Sequence, residues 1–155
     1  MPENSRTVTL RLTGETPGST DGHRMKAVYY DILADGHRVG TCELRLETTW
    51  TTRLGGQVSY TVFPQYRGHR YALQALRLLS GIALEHGVSS LTVTCRPENR
   101  ASRRTLELAG AVLTETAAVP PDHPLYASGV RRICIYRMEY AKPVCDSMTE
   151  VEREE

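Results

Sequence analysis

The sequence lacks the features that mark several common classes of protein. No apolar run approaches the ~20 residues that a membrane-spanning helix needs, and residues 1–5 have neither the basic region nor the apolar core of a signal peptide. The G-x-G-x-x-G pattern of dinucleotide-binding folds and the G-x-x-x-x-G-K pattern of P-loop proteins are also absent. A formal net charge of +1 argues against broad electrostatic capture of nucleic acid. We therefore expect a cytoplasmic protein that does not bind membranes.

Cysteine is scarce and scattered along the chain. The four cysteines form no C-x-x-C pair, and three of them fall within runs that alternate like strands: Cys42, Cys95, Cys134 and Cys145. We expect reduced, mostly buried thiols and no metal site. With 155 residues, of which 40% are apolar, the chain is long enough for one domain with its own core.

The most informative stretch runs from Val58 to Ala83. Its first five residues alternate between apolar and polar, as in a strand, and Pro64 then interrupts the strand because it has no N–H to donate. From Tyr71 onward the apolar residues take the spacing of a helix, at Ala72, Ala75, Leu76, Leu79 and Ala83. The first N–H groups of a helix have no partner inside it. With the helix dipole and the basic residues between positions 67 and 70, they predict a phosphate site.

The rest of the chain is predicted to alternate between strands, turns and one more helix. Asp35-Gly36 is a turn signal between two alternating runs, and Asn99 suits the N-cap of a second helix that ends at Gly110. Predicted strands are Thr7–Leu12, Met25–Leu33, Val39–Leu46, Ser90–Cys95, Ala111–Val119 and Val130–Glu139. Predicted loops are residues 13–24, 48–56 and 120–129, and the apolar stripe of the second helix is Ala101, Thr105, Leu108 and Ala109.

This order of elements predicts an α+β fold. The hairpin and the last strands favour antiparallel pairing, while the strand–helix–strand unit around the first helix favours a parallel neighbour pair. We expect a mixed, mostly antiparallel central sheet within a domain covering residues 25–140. Residues 1–24 are expected to be a flexible segment with a short strand, and residues 141–155 a disordered acidic tail.

Two blocks of the sequence resemble one known superfamily. The strand, the segment Gln65–Gly68 and the helix starting at Tyr71-Ala72 resemble the pyrophosphate loop of GNAT N-acetyltransferases, whose pattern is Q/R-x-x-G-x-G/A. Asn99, Ser102 and Gly110 are similar to the second block of that family, and the run from Leu91 to Ser102 looks especially like a subgroup of predicted bacterial acetyltransferases. The resemblance covers residues 29–139. It implies a splayed pair of strands in the sheet and helices on both faces.

The resemblance also implies an activity, which is direct transfer of an acetyl group from acetyl-CoA to a primary amine in a ternary complex. The backbone of Thr61, Val62 and Phe63 would pair with the pantetheine arm. Asn99 would bind its amide region, and Ser102 and Arg103 would lie near the sulphur and the adenosine phosphates respectively. The pyrophosphate loop would comprise Gln65, Arg67, Gly68, His69, Arg70, Tyr71 and Ala72.

The catalytic groups are less evident than the cofactor loop. A base must keep the amine neutral, and an acid must protonate the thiolate; the candidates are Tyr60, Glu43 and Tyr126. Many family members carry the acid as a Tyr in the second helix, at a position that is Leu106 here. Arg70 likewise stands where the family pattern has a Gly or Ala.

Two alternative functions and one question about the acceptor site stay open. A catalytically silent CoA-binding regulatory domain would explain Leu106. An RNA-binding module using Arg67, Arg70, Arg100, Arg103 and Arg104 is disfavoured by the low net charge and few aromatics. Residues 13–24 are too few for the two helices that wall the family's acceptor site, so this site is either open or completed by a second copy in a homodimer.

Overall fold

The structure is a computed structural model and describes residues 7–16, 26–47 and 50–140. Its strands are β1 (Val8–Thr16), β2 (Ala27–Ala34), β3 (His37–Arg45), β4 (Val58–Val62), β5 (Ser90–Cys95), β6 (Val112–Ala118) and β7 (Arg132–Glu139). Its helices are α1 (Trp50–Gly55), α2 (Tyr71–Glu85), α3 (Arg100–Leu108) and α4 (Pro124–Ala127), with a 3₁₀ turn at Pro64–Tyr66. None of these helices is long and apolar enough to cross a membrane. Of the flexible segment predicted for residues 1–24, residues 1–6 and 17–24 lie outside the described residues, as does the predicted tail at 141–155.

The first four strands form one antiparallel sheet in the order β1-β2-β3-β4. The predicted hairpin of β2 and β3 is confirmed, and Asp35 and Gly36 turn the chain with φ values of 51° and 83°. The prediction that residues 13–24 form a loop is wrong for its first part, because β1 continues to Thr16. A bulge between Leu12 and Gly14 lets the strand keep pairing with β2 beyond its apolar run.

The other three strands form a second antiparallel sheet in the order β5-β7-β6. The central strand, β7, is buried on both faces because its residues alternate between two apolar clusters. Cys134, Tyr136 and Met138 join the main core, which also contains α2 and one face of the first sheet. Ile133 and Ile135 join a smaller cluster with Leu54 of α1 and residues that flank α4. Helices therefore cover both faces of this sheet.

The two sheets meet where β4 begins. The backbone N–H of Gln57 donates to the carbonyl of Thr92 on β5 at 2.7 Å, and the N–H of Thr92 donates to the side-chain Oε1 of Gln57 at 2.9 Å. Beyond this junction β4 and β5 belong to different sheets. The α+β class with antiparallel sheets is thus confirmed. The two strands that flank α2 are splayed to the extent that no ladder joins them.

Both long helices end as their glycines predict. Gly87 follows α2 with a φ of 83°, and the N–H groups of Gly87 and Val88 donate to the carbonyls of Leu84 and Ala83, which is the Schellman arrangement. Gly110 ends α3 in the same way. In α2, all of the predicted stripe except the half-buried Ala72 is fully buried.

The apolar stripe predicted for α3 is wrong. Its one buried residue is Leu106, whereas Ala101 is exposed and Thr105, Leu108 and Ala109 are half-buried. The helix contacts α2 and β5, and Leu106 is the one side chain that it buries fully.

The predicted loops at 48–56 and 120–129 each contain a short helix. Leu54 of α1 is buried in the smaller cluster with Val119 and Val130, and His123 caps α4 by accepting the N–H of Leu125 at its Nδ1. Helices of six and four residues are too short to show a helical period in a sequence.

Candidate active site

The connection between β4 and α2 is a sharp turn that leaves the start of the helix open. Gly68 has a φ of 93° and Arg70 a φ of 62°, both in the left-handed region. Arg70 is the N-cap residue of α2, and its side chain makes no capping hydrogen bond. The first N–H groups of α2 therefore face the turn without an intrahelical partner, as an anion site requires.

The left-handed backbone of Arg70 explains why a glycine suits this position of the family pattern. Glycine adopts that conformation without steric cost, whereas a residue with a Cβ is strained there. Arg70 adopts this strained conformation, and its exposed side chain places a guanidinium beside the turn. The neighbouring basic side chains are also exposed: Arg67 donates from Nε to the carbonyl of Val62 at 3.0 Å, and the His69 ring stacks on Tyr71 with centroids 5.3 Å apart.

The end of β4 is held against β3 by a glycine that sequence reasoning missed. A Cβ built on Gly40 would lie 2.1 Å from the carbonyl oxygen of Thr61 and 3.0 Å from the Cα of Val62. The backbones therefore approach more closely than any side chain would permit. The signal in the sequence was a glycine inside a strand pattern, but the partner strand had to be known before it could be interpreted.

The backbone groups of β4 face two directions. The N–H of Phe63 donates to the carbonyl of Val39 on β3 at 2.8 Å, and the carbonyl of Thr61 points toward Gly40. Since successive residues of an antiparallel strand present their backbone groups to opposite sides, the N–H and C=O of Val62 face away from β3. Of the three residues predicted to bind pantetheine, Val62 is thus the one whose backbone points into the space between the sheets.

The first turn of α3 meets β4 through its side chains. The Oδ1 of Asn99 accepts the N–H of Ser102 at 3.1 Å, as an N-cap does, so a ligand contact would come from the amino group of this side chain. The Oγ of Ser102 lies 3.0 Å from the hydroxyl of Tyr60. Burial raises the pKa of Tyr60 above its ordinary value of 10.0, and the bond to Ser102 opposes this rise. The phenol is therefore protonated at neutral pH.

The other predicted residues of α3 face the sheet. Arg103 donates from Nε to the hydroxyl of Tyr136 at 3.1 Å and from Nη1 to the carbonyl of Pro97 at 3.3 Å. Leu106 is completely buried. The position at which many family members carry a tyrosine acid thus belongs to the core here, whereas the Tyr60 hydroxyl reaches the same helix from β4.

The face of the first sheet that points away from α2 carries a cavity of about 550 Å³. Glu43 lies in it, and its Oε2 is 2.9 Å from Nη2 of Arg45, which also donates to the Oγ of Ser59 at 3.0 Å. The lining residues come from all four strands of this sheet: Thr13, Tyr29, Tyr30, Asp31, Arg38, Thr41, Cys42, Glu43, Ser59, Tyr60 and Thr61. The predicted Glu43 and Thr61 thus lie on this face, whereas the side chain of Tyr60 lies on the opposite one, because Tyr60 pairs with Cys42 and packs on the main core.

Tyr126 does not line this cavity. Its half-buried ring packs on the smaller apolar cluster, and the guanidinium of Arg131 lies 3.6 Å from the ring centroid.

Two buried cysteines lie near the site. Cys95 contacts Ser102, and burial raises the pKa of its thiol. Burial also raises the pKa of Cys42 to about 12, so neither cysteine is an ionised nucleophile at neutral pH.

Comparison with known proteins agrees with this geometry. The profile of the acetyltransferase (GNAT) domain matches residues 8–112. The chain belongs to the GNAT acetyltransferase domain family. The comparison with curated proteins found no match.

Solved structures show the same fold. The ribosomal-protein-S5-alanine acetyltransferase from Vibrio fischeri matches with a TM-score of 0.58 at 18% identity over 73% of this chain and 61% of its own. An acetyltransferase from Salmonella typhimurium that modifies the N-terminal serine of the 50S ribosomal subunit protein L7/L12 gives 0.57 at 16% identity over 74% and 64%. The microcin C7 self-immunity acetyltransferase MccE, in complex with acetyl-CoA and AMP, gives 0.55 at 14% identity over 74% and 61%. This GNAT chain thus spans less than two thirds of the length of each.

Proposed function

We propose that this protein is an N-acetyltransferase that moves an acetyl group from acetyl-CoA directly to a primary amine. The observation that carries the proposal is the geometry at the end of β4. Beyond the junction of β4 with β5, the backbone of Val62 faces away from β3. The turn that follows leads to the start of α2, where the first N–H groups of the helix have no intrahelical partner. A pantetheine arm and a pyrophosphate require these two kinds of partner in this order.

Acetyl-CoA would be held by the residues around this cleft. The backbone of Gly68–Ala72 and the side chains of Gln65, Arg67, His69 and Arg70 would bind the pyrophosphate. Arg67 would leave the carbonyl of Val62, which it contacts at 3.0 Å, and that carbonyl would become available to the pantetheine. The bound group supplies an activated acetyl thioester. Asn99 would contribute its amino group, and Arg103 a positive charge fixed close to the start of α3.

Tyr60 is the proposed acid. Burial keeps its phenol protonated by raising its pKa, and its hydroxyl lies 3.0 Å from the Oγ of Ser102. Ser102 would donate to the phenol oxygen, which leaves the phenol proton for the thiolate. A protonated phenol can donate to the thiolate that leaves when the amide forms. Tyr60 would thereby fulfil the role for which Leu106, buried in the core, has no suitable group.

Glu43 is the proposed base, and the cavity is the proposed acceptor site. An ammonium has no lone pair, so the incoming amine must lose a proton before it attacks. The Glu43 carboxylate is held by Arg45 at 2.9 Å and lines the cavity. The side chain of Tyr60 lies on the opposite face of the same sheet, so the reacting thioester would lie at the free edge of β4, between the two groups. Only residues 17–26 separate β1 from β2, which is too few for two helices over this face. An acceptor would therefore enter from an open side or be enclosed by a second copy of the chain.

Binding of acetyl-CoA tests the first half of the proposal. A ligand that binds only the folded protein raises its melting temperature, so we expect acetyl-CoA to stabilise the wild type and to stabilise Gly68→Ala much less. Gly87→Ala is the matched control, because Gly87 has a φ of 83° and Gly68 one of 93°, and a Cβ at either would meet no atom within 4 Å. Equal stabilisation of both variants would contradict the proposed phosphate site.

A catalytically silent CoA-binding domain is the second candidate, and buried Leu106 is the observation that favours it. The two candidates differ in the pH profile of acetyl transfer. For the enzyme, Glu43→Gln should lower the amine-dependent release of CoA at neutral pH, with partial recovery at higher pH as more of the amine is deprotonated. The silent domain would bind acetyl-CoA but release no CoA with any amine at any pH.

A further inference from the structure

We propose that Asp31 and Arg38 are positioning residues that fix the end of β4 for acetyl-CoA. The proposal rests on the function proposed above, in which the backbone of Val62 binds the pantetheine arm. It concerns a chain of contacts that starts on β2, passes through β3 and reaches Phe63, the residue next to Val62. None of these contacts belongs to the turn or to the first residues of α2.

The chain of contacts begins at a carboxylate that is held from two sides. Asp31 is buried, and its Oδ1 accepts from Nε of Arg38 at 2.8 Å while its Oδ2 accepts from Nη2 of Arg11 at 2.8 Å. Arg11 lies directly opposite Asp31 on β1, and Arg38 lies on β3. Charge-assisted hydrogen bonds of this length are the stronger kind, so the guanidinium of Arg38 is fixed although its side chain is 52% exposed.

Arg38 then holds the aromatic ring of Phe63, the residue that follows β4. Its guanidinium carbon lies 5.1 Å from the centroid of Phe63, within the range of a cation–π contact. The adjacent residue of β3, Val39, accepts the backbone N–H of Phe63 at 2.8 Å. Phe63 is thus held through its ring and through its backbone, and its two neighbours in the chain are the outward-facing Val62 and the turn-forming Pro64.

Two arginines bind Asp31, but only Arg38 has a ring contact with Phe63. Replacement of either arginine removes one ion pair from the same carboxylate, and both side chains are more than half exposed, at 59% and 52%. A purely structural role for the ion pairs predicts similar effects for the two replacements. The positioning role predicts that loss of Arg38 alone impairs acetyl-CoA binding.

The experiment compares Arg38→Gln with Arg11→Gln by titration calorimetry with acetyl-CoA. We expect Arg38→Gln to weaken binding about two- to fivefold, the range of an exposed cation–π contact, and Arg11→Gln to bind like the wild type. Phe63→Leu should cause a similar loss, and the double variant Arg38→Gln/Phe63→Leu should lose little more than either alone, because the two residues act as one unit. Arg38→Lys keeps the charge but not the planar group and should fall between.

The outcomes distinguish failure of the positioning role from failure of the proposed acetyl-CoA site. Equal affinities for Arg38→Gln and Arg11→Gln, or losses that add in the double variant, would overturn the positioning role while leaving the acetyl-CoA site intact. Absence of binding to the wild type would overturn the proposed function itself. If Arg38→Gln does not fold, the comparison of Phe63→Leu with Phe63→Tyr decides the matter, since the tyrosine ring restores the partner of Arg38 and should restore affinity.

Discussion

Gly40 offers the sharpest test of how β4 is positioned. In Gly40→Ala the new methyl group would lie 2.1 Å from the carbonyl oxygen of Thr61 and 3.1 Å from its carbonyl carbon. The closest comfortable separation of carbon and oxygen is about 3.3 Å. The two strands would therefore have to separate by roughly 1 Å. The obstacle is backbone on both sides, so no side chain can rotate away to relieve it.

The expected cost is that of an overpacked site, about 1–3 kcal/mol of the free energy of unfolding. For a domain of this length the melting temperature should fall by roughly 2–12 °C. Because the displaced residues include Val62, the dissociation constant for acetyl-CoA should also rise. Thermal denaturation and titration calorimetry measure the two effects separately.

Gly14→Ala is the matched control for Gly40→Ala. Gly14 also lies in a strand of the first sheet, but a Cβ there would meet only the Tyr29 ring at 3.9 Å, an ordinary contact. We expect this variant to unfold and to bind acetyl-CoA much as the wild type does. If Gly40→Ala is as stable as Gly14→Ala and binds acetyl-CoA equally well, then β3 and β4 are not as close as described, and the reasoning fails.

Three further predictions concern stability. Arg70→Gly should raise the free energy of unfolding by about 0.5–1 kcal/mol in chemical denaturation, because relief of the left-handed strain exceeds the added chain entropy; a loss would contradict the strain. Gly81→Ala should add about 0.5–1 kcal/mol, since Gly81 lies inside α2 and a methyl group added there would meet no neighbouring atom within 4 Å; no gain would argue against a regular helix there. Hydrogen bonds from Arg11 and then Arg38 lower the pKa of Asp31 below 3.8, so its contribution is present above that pH and is lost as the pH falls through the lower, folded value. The difference in melting temperature between wild type and Asp31→Asn should therefore shrink between about pH 5 and pH 2, and a constant difference would contradict the lowered pKa.

Local signals in the sequence predicted much of the fold. The Asp35-Gly36 turn, the start of α2 at Tyr71, the cap at Asn99 and the bounds of β5 all depend on residues within a few positions of one another, so the chemistry of the turn or cap is sufficient to place them. The stripe of α3 was misjudged because the period alone does not tell how much of a helix touches the core. Leu106 was the buried residue, and only the packing of the helix reveals this.

Some features of the candidate site depend on neighbouring residues in the sequence, and others depend on how distant segments pack together. The pyrophosphate loop is one continuous segment, and its glycine and basic residues can be recognised directly. The contact of Tyr60 with Ser102 joins residues 42 positions apart, and the approach of Gly40 to Thr61 depends on which strands pair. Such relations follow from topology, which the order of elements predicted only in outline. The strain at Arg70 was visible in the sequence as a departure from the family pattern, but its cause is a backbone angle.

The amine-dependent release of CoA tests the central claim most directly. Wild type, Tyr60→Phe and Tyr126→Phe would each be incubated with acetyl-CoA and a panel of primary amines, with the free thiol followed by a colorimetric reagent and the acetylated amine by mass spectrometry. We expect release with at least one amine by the wild type, a loss of about 10²-fold or more in Tyr60→Phe, and little change in Tyr126→Phe, whose ring lies outside the cavity. Acetyl transfer that is equally fast in Tyr60→Phe would contradict the assignment of the acid and, with it, the proposed active site.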